Sequence, residues 1–388
     1  MRTLEKRAFV IRLGAIGDIV LVTPVLAALK REGYHVTLLC KPHAPWLLKH
    51  AGLVDVYVFA DRAFEDEITR RIAGDEGARV ATAQVYAHEL AAGYDRVVDL
   101  VGIVEGKLMV KVWEFSEEFA KKSEEIEKHA GHGVAFVPPD VNHVDALLDA
   151  AGFESAAMPV EYKRPVWRVS HDERHWARKK LRRWGVTDHD FLVVYQLTGS
   201  GIAKTWPFAE QFCGGLKRRA PETKIILLGI GDDEALTWGW SERMPWVIPF
   251  AADRCPAQAQ RDDSGRTVDY TYIRNPMTFR QDGALVGEAA CYVGPDTSFL
   301  HVAGALSVPC VPLLTVTSHR HISLYYSGAR PIQSPVACSP CGKLVTDCHR
   351  GERTGAARCM EAIQPQIVVN ETMEVYEQWR TKRSRKSA

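Results

Sequence analysis

The sequence predicts an α/β protein with parallel, doubly wound sheets in two tandem halves. Three observations carry this. Short apolar runs alternate with amphipathic helical patterns along most of the chain, as expected for strands that need a crossover helix to remain parallel. Two runs, AFVIRL and FLVVYQL, end in glycine-containing turns that lead straight into helices. A third stretch, ACYVGPDTSFLHVAGALSVPCVPLL at 290–314, reads strand, turn, helix, strand. A helix that opens directly behind a strand leaves unpaired N–H groups and a positive dipole end at the carboxyl edge of the sheet, where anions bind.

Composition sets the outer bounds. The 388 residues are enough for two domains. A formal charge of +1, 25% charged residues and a mean hydropathy of −0.16 describe a soluble balance, with no chain-wide field of the kind that draws nucleic acid. The N-terminal MRTLEKRAFVIRLG is charged ahead of a very short apolar run and has no small-residue cleavage site, so it is not read as a secretory signal. No apolar segment is long enough to span a bilayer. The expected location is the cytoplasm, with the nine cysteines mostly reduced or metal-bound.

In order, AFVIRL is a buried strand, Gly14 and Gly17 bracket a tight turn, and Ile19 to Lys30 is an apolar-faced helix that Asp18 opens. Glycines at a first strand-to-helix crossing let backbone approach a ligand. The spacing is not G-x-G-x-x-G and no P-loop lysine follows, which excludes the dinucleotide and Walker fingerprints and argues against an NAD-type oxidoreductase. Asp18 reads as an N-cap, and a rim-exposed, ionised cap is also what a general base requires. HVTLLC (35–40), DVYVFA (55–60) and YDRVVDL (94–100) are further strands, with helices near 43–50, 62–72 and 78–92. Residues 105–130 form a charged amphipathic stretch, read as a lid, an acceptor-contacting helix or a solvated one. VNHVDALLDAAGF closes the first domain, and EYKRPVWRV is the linker.

The second half begins near Asp172 with a basic helix, then FLVVYQL (191–197) and the loop TGSGIAKTWPFAEQF, whose helix carries Pro207 in its first turn. KIILLG (224–229) runs into another glycine turn with acids at the next helix start. Residues 251–280 read as a polar surface loop or lid. In 290–314, Cys291 to Val293 is the strand, Gly294-Pro295 the turn, and the helix opens at Asp296. Asp188-His189-Asp190, the one Asp-x-Asp string, precedes a strand and reads as a turn rather than a metal site. The last helix ends in Arg380, Lys382, Arg383, Arg385 and Lys386, a solvated terminus or a contact with anionic lipid or another polyanion. Two such halves suggest Rossmann-like domains with a cleft between them.

The remaining chemistry lies in cysteines. Cys338, Cys341, Cys348 and Cys359 are spaced C-x2-C-x6-C-x10-C, and four thiolates suit a tetrahedral zinc or iron. Free thiols and disulfides are the alternatives, and His349 is an alternative ligand to Cys348. Cys40, Cys291 and Cys310 lie in apolar strands and read as packing residues.

Three pieces in this order resemble glycosyltransferase family 9, the ADP-heptose-dependent heptosyltransferases of lipopolysaccharide core assembly: IRLGAIGDIVLVTPVLAALK, GSGIAKTWPFAEQF and VGPDTSFLHVAGALSVPCV. The resemblance, with NHVDALLDAAGF and the CSPCGK region, extends over nearly the whole chain. It implies a GT-B fold: an acceptor domain at 1–160, a nucleotide-sugar domain at 170–365 carrying the cysteine loop at 338–359, and a helix at 366–388 crossing back. It also implies inverting transfer of a heptose-like sugar from a nucleoside diphosphate, without a catalytic metal. Carried over by motif, Asp18 is the general base and Gly14 and Gly17 shape its loop. Lys204 holds the diphosphate, the N–H groups of Thr297 and Ser298 receive the leaving phosphate, and Thr198, Gly199 and Ser200 add contacts. Glu234 is assigned to the ribose, Asp296 to sugar hydroxyls, and His301 to the loop or a phosphate. The implied acceptor is a lipopolysaccharide-type glycolipid, with peripheral contact at the inner membrane face; a protein or modified DNA base is the alternative acceptor, and a non-catalytic nucleotide-sugar binder the alternative class. Ser298 departs from the family pattern, which has glycine there. The autotransporter heptosyltransferases are similar in carrying an iron-bound four-cysteine site, which favours metal at the cysteine loop.

Overall fold

The structure is a computed structural model that describes residues 5–72, 79–100, 104–105, 136–137, 141–199, 201–229, 243–248, 260–261, 267–268, 276–341 and 350–387. Packing divides the chain into two units. Unit 1 comprises Met1–Trp167 with Arg320–Ile322, and unit 2 comprises Arg168–His319 with Ser323–Ala388.

Unit 1 holds a four-stranded sheet of β1 (Arg7–Ile11), β2 (His35–Cys40), β3 (Val56–Phe59) and β4 (Arg96–Asp99), ordered β3-β2-β1-β4. Every pair is parallel, with Ile11 opposite both Leu39 and Asp99. All four carboxyl ends therefore share one edge. One face packs under α4 (Arg62–Ile72) and α5 (Arg79–Leu90), where Phe9, Ile11 and Leu39 meet Phe64, Ile68, Ile72, Ala87 and Ala91. Burying side chains such as Phe9 or Ile68 stabilises the unit by about 1.5–3 kcal/mol each.

The helix expected from Ile19 to Lys30 is two helices, α1 (Ile16–Leu21) and α2 (Thr23–Arg31). Pro24 has no N–H for the Val20 carbonyl, and the Thr23 hydroxyl takes that carbonyl instead at 2.6 Å. A short helix, α3 (Ala44–Leu48), follows β2. The helix His143–Ala150 is capped by Asn142, whose side chain accepts the Val144 N–H at 2.9 Å.

Unit 2 holds a six-stranded parallel sheet. Its spatial order is Ile332–Gln333, Cys310–Leu314, Cys291–Pro295, Phe191–Gln196, Thr223–Leu228, Val247–Ile248. Numbered along the unit, that is 6-5-4-1-2-3, the doubly wound order. The order of strand addition reverses between the Phe191–Gln196 and Cys291–Pro295 strands, and ligands bind beside the carboxyl ends at such a switch point. The basic helix His171–Arg183 opens with a reciprocal cap between Ser170 and Glu173. Glu173 also binds the fully buried Arg280. The final helix, Pro365–Ser387, packs on unit 2: Tyr376 donates to Glu222 at 2.7 Å, and Tyr376 and Trp379 lie against Phe191.

Several local expectations shift. Residues 276–280 open the helix Pro276–Gly287 rather than continuing a loop, because Phe279 and Arg280 are buried. Pro207 lies ahead of its helix, Ala209–Arg219, and not in its first turn. Residues 187–190 form the expected turn, closed by Asp190 accepting the Thr187 N–H at 2.6 Å. Cys40, Cys291 and Cys310 are fully buried, as their strands predicted. Most of the 105–130 stretch and of 251–275 lies outside the described residues.

Candidate active site

In unit 1 the polar groups collect where β1 and β4 end. Arg12 follows the last residue of β1 and is buried, 3% exposed. Its Nη1 donates to the Leu100 carbonyl at 2.6 Å and its Nη2 to Asp18 Oδ1 at 2.6 Å. Asp18 is the third residue of α1 rather than its cap, and its Oδ2 accepts the Ala15 N–H at 2.7 Å. The Asp18 side chain remains 25% exposed, so a ligand can reach it. Gly14 is required here, since a Cβ would lie 2.3 Å from Asp18 Oδ2. Gly17 lies inside α1.

Burial alone would raise the Asp18 carboxyl. Arg12, His143 and the Ala15 N–H outweigh it and hold the group below the usual carboxylate range. His43, just ahead of α3, is pushed down to about 4 by burial and by Lys41, against the pull of the Asp18 charge. At neutral pH Asp18 is thus ionised and His43 uncharged.

In unit 2 the groups collect at the switch point. The strand expected to stop at Val293 runs on to Pro295, and the helix begins at Ser298 with Thr297 as its cap residue. Asp296 therefore does not cap the helix. It is 4% exposed, and its Oδ2 accepts from Lys204 Nζ at 3.3 Å and from Thr317 at 2.8 Å. Its Oδ1 lies 3.6 Å from His301 Nε2, and His301 Nδ1 meets the Tyr326 hydroxyl at 2.6 Å. Burial raises the Asp296 carboxyl, but Lys204, His301 and Thr317 together lower it below its ordinary value. The Thr297 hydroxyl donates to Gln196 Oε1 at 2.5 Å, and Tyr292 donates to the same oxygen at 2.8 Å.

Gly199 ties this group together. A Cβ there would come within 2.8 Å of both Lys204 Cβ and Thr297 Cγ2. Gly199, Lys204, Asp296, Thr297, Ser298 and His301 are thus gathered at one edge of unit 2, and the Thr198 carbonyl accepts from Gln196 at 3.0 Å beside them. Ser200 and Glu234 lie outside the described residues. Sequence reading passed over Arg12, His143, Gln196, Thr317 and Tyr326. Arg12 alone carried a local signal, a charged residue closing an apolar strand.

Among the described residues no group of three or more His, Cys, Asp or Glu side chains gathers as a metal centre. Cys338 is exposed, Cys341 half-buried and Cys359 buried, while Cys348 lies outside the described residues.

Two doubly wound α/β units in tandem, each with polar groups at its switch point, form the architecture of GT-B glycosyltransferases. Comparison with known proteins narrows the class. Residues 250–349 match the model of glycosyltransferase family 9 (heptosyltransferase). The glycosyl transferase family 9 structure from Veillonella parvula DSM 2008 is similar, with 14% identity, a TM-score of 0.61, and 96% of this chain and 97% of that one covered. E. coli ADP-heptose lipopolysaccharide heptosyltransferase II is similar at 16% identity and TM-score 0.58, over 96% and 99% of the two chains. The iron-containing dodecameric glycosyltransferase TibC from enterotoxigenic E. coli H10407 is similar at 10% identity and TM-score 0.54, over 97% of this chain and 77% of that one. A comparison with curated protein sequences gives no match. The resemblance to family 9 drawn from sequence motifs is borne out, as are the GT-B fold and the reading of the chain as a glycosyltransferase. No helix among the described residues is long and apolar enough to cross a membrane.

Proposed function

We propose that the protein transfers a heptose-like sugar, with inversion and without a catalytic metal, from a nucleoside diphosphate to an acceptor hydroxyl. ADP-heptose is the donor this reading names, after the heptosyltransferase II to which the chain is similar. The observation that carries it is the pairing of a buried lysine, Lys204, with the start of the Ser298–Ala305 helix at the switch point of unit 2. As the glycosidic C–O bond breaks, its electron pair passes to the departing diphosphate. A fixed ammonium and helix N–H groups stabilise that growing charge. In this reading Lys204 and the Thr297 and Ser298 N–H groups hold the diphosphate, with Thr198 and Gly199 beside it. Asp296, itself held by His301 and Thr317, keeps the lysine in place, and Asp296 is the group assigned to sugar hydroxyls.

Asp18 takes the proton of the acceptor hydroxyl as that oxygen bonds to the anomeric carbon. A carboxylate has about four acceptor sites, so the bonds from Arg12 and Ala15 leave lone pairs for this. A lipopolysaccharide core is the acceptor, met by a cytoplasmic protein at the inner membrane face. Structural iron or zinc on Cys338, Cys341, Cys348 and Cys359 rests on their spacing, and metal analysis of purified protein decides it. The reading as a whole is tested by incubating the protein with ADP-heptose, a heptose-free lipopolysaccharide core and EDTA. Formation of ADP and an elongated core is expected; donor left intact with every core acceptor overturns it.

A further inference from the structure

The Asp18 carboxylate is faced by charged or titratable groups from three elements. Arg12 approaches from the end of β1, His143 from the helix His143–Ala150 and His43 from the residue ahead of α3. Arg12 bonds it directly, and Arg12 is itself anchored. Its Nη1 is held by the Leu100 carbonyl at 2.6 Å, just past the neighbouring strand, while its Nη2 reaches Asp18 Oδ1 at 2.6 Å. The Arg12 side chain is 4% exposed, so the fork itself is held out of water. The planar fork of arginine can serve two acceptors in fixed directions, whereas a lysine ammonium has no such geometry.

We propose that Arg12 is the positioning residue of the Asp18 base, fixing one carboxylate oxygen against the sheet so that the group stays ionised in a buried surrounding with its remaining lone pairs turned to the open side. This rests on the reading of Asp18 as the base, but it makes a claim about Arg12 that is measurable without turnover. Burial is the largest influence on Asp18 and raises it. Without the guanidinium the balance tips, because an arginine next to an aspartate lowers its pKa by about 1–3 units.

The experiment is a carbon-13 titration of aspartate carboxyls in the full chain, with the Asp18 signal assigned as the one missing from Asp18→Asn. In the unaltered protein the signal should titrate below the usual aspartate range. In Arg12→Gln it should titrate about 1–3 pH units higher, and the acid limb of kcat/KM with ADP-heptose should rise by the same amount. An Asp18 titration identical in the two proteins overturns the proposal, whatever the activity. Arg12→Lys retains the charge without the fork. It should leave the acid limb in place while kcat falls about tenfold to a hundredfold at unchanged donor KM, since small misplacements cost on that scale. Should Arg12→Gln not fold, an Arg12→Lys protein with unaltered kcat overturns the positioning role. Full activity in Asp18→Asn would remove the base reading separately and leave the carboxyl titration to judge Arg12.

Discussion

Lys204 Nζ lies 3.3 Å from Asp296 Oδ2, with both side chains nearly buried, at 10% and 5% exposure. A buried pair is weak evidence of net stability, but breaking one leaves an uncompensated charge. Lys204→Met should destabilise unit 2 by about 3–5 kcal/mol, read from urea denaturation at neutral pH. It should also raise the Asp296 carboxyl by removing the first of the groups that lower it. Unchanged stability would show that His301 and Thr317 suffice for Asp296.

Asp18→Asn separates a base from a structural acceptor. An amide oxygen still accepts the Ala15 N–H, but the amide NH2 then faces the buried Arg12, so the protein should fold with a melt lowered by the loss of that ion pair. Its kcat should fall about 10²–10⁴-fold, the usual contribution of a general base. Gly14→Ala gives a complementary expectation: the new Cβ collides with the carboxylate 2.3 Å away, so activity should drop although the base is present. Activity within a few-fold of wild type in Asp18→Asn would leave the base assignment without support.

Tyr326→Phe removes the hydroxyl that meets His301 Nδ1 at 2.6 Å in a buried setting. An imidazole nitrogen left without its partner costs about 1–3 kcal/mol. The donor KM should rise more than kcat falls, because the hydroxyl orients a ring beside Asp296 and touches no reacting atom. Unaltered melting and kinetics would place the tyrosine outside the site's support.

Glu361 gives a pH dependence of known sign. Its carboxylate accepts the Thr354 hydroxyl at 2.6 Å and the Thr354 N–H at 2.8 Å. These bonds, with those from Arg353, lower its pKa from 4.5 to about 2. A carboxyl depressed in the folded state adds stability above its unfolded pKa, and that stability is lost as pH falls from 4.5 toward 2. The urea midpoint of the parent should therefore exceed that of Glu361→Gln at pH 7, and the two should converge near pH 2. A gap that persists at pH 2 would contradict this.

Much of the fold was legible because its signals are local. The apolar runs at 35–40, 55–60 and 191–197 became strands, since alternation of buried strands and crossover helices admits few other arrangements. Cap and pair assignments at the two sites were less legible. Asp-Thr-Ser after a strand looks like a helix opening, yet pairing of Val293, Gly294 and Pro295 with Val311, Pro312 and Leu313 extends the strand and moves the cap to Thr297. Asp296 then meets Lys204, 92 residues away in sequence. Arg12 likewise binds a carbonyl 88 residues distant. Such pairs depend on strand order, which no local pattern encodes. The break at Val22 was readable in principle from Pro24, but the Thr23 hydroxyl that takes the orphaned carbonyl became evident only in three dimensions.

The central claim is that unit 2 binds a nucleoside diphosphate through Lys204 and the helix beginning at Ser298. Thermal unfolding with ADP, UDP, GDP and CDP, with EDTA present, tests it most directly. A cognate diphosphate at about 100 times its dissociation constant should stabilise the parent by about 2.7 kcal/mol, and Lys204→Met should lose most of that gain. No gain in the parent with any of the four, or an equal gain in Lys204→Met, would contradict the account.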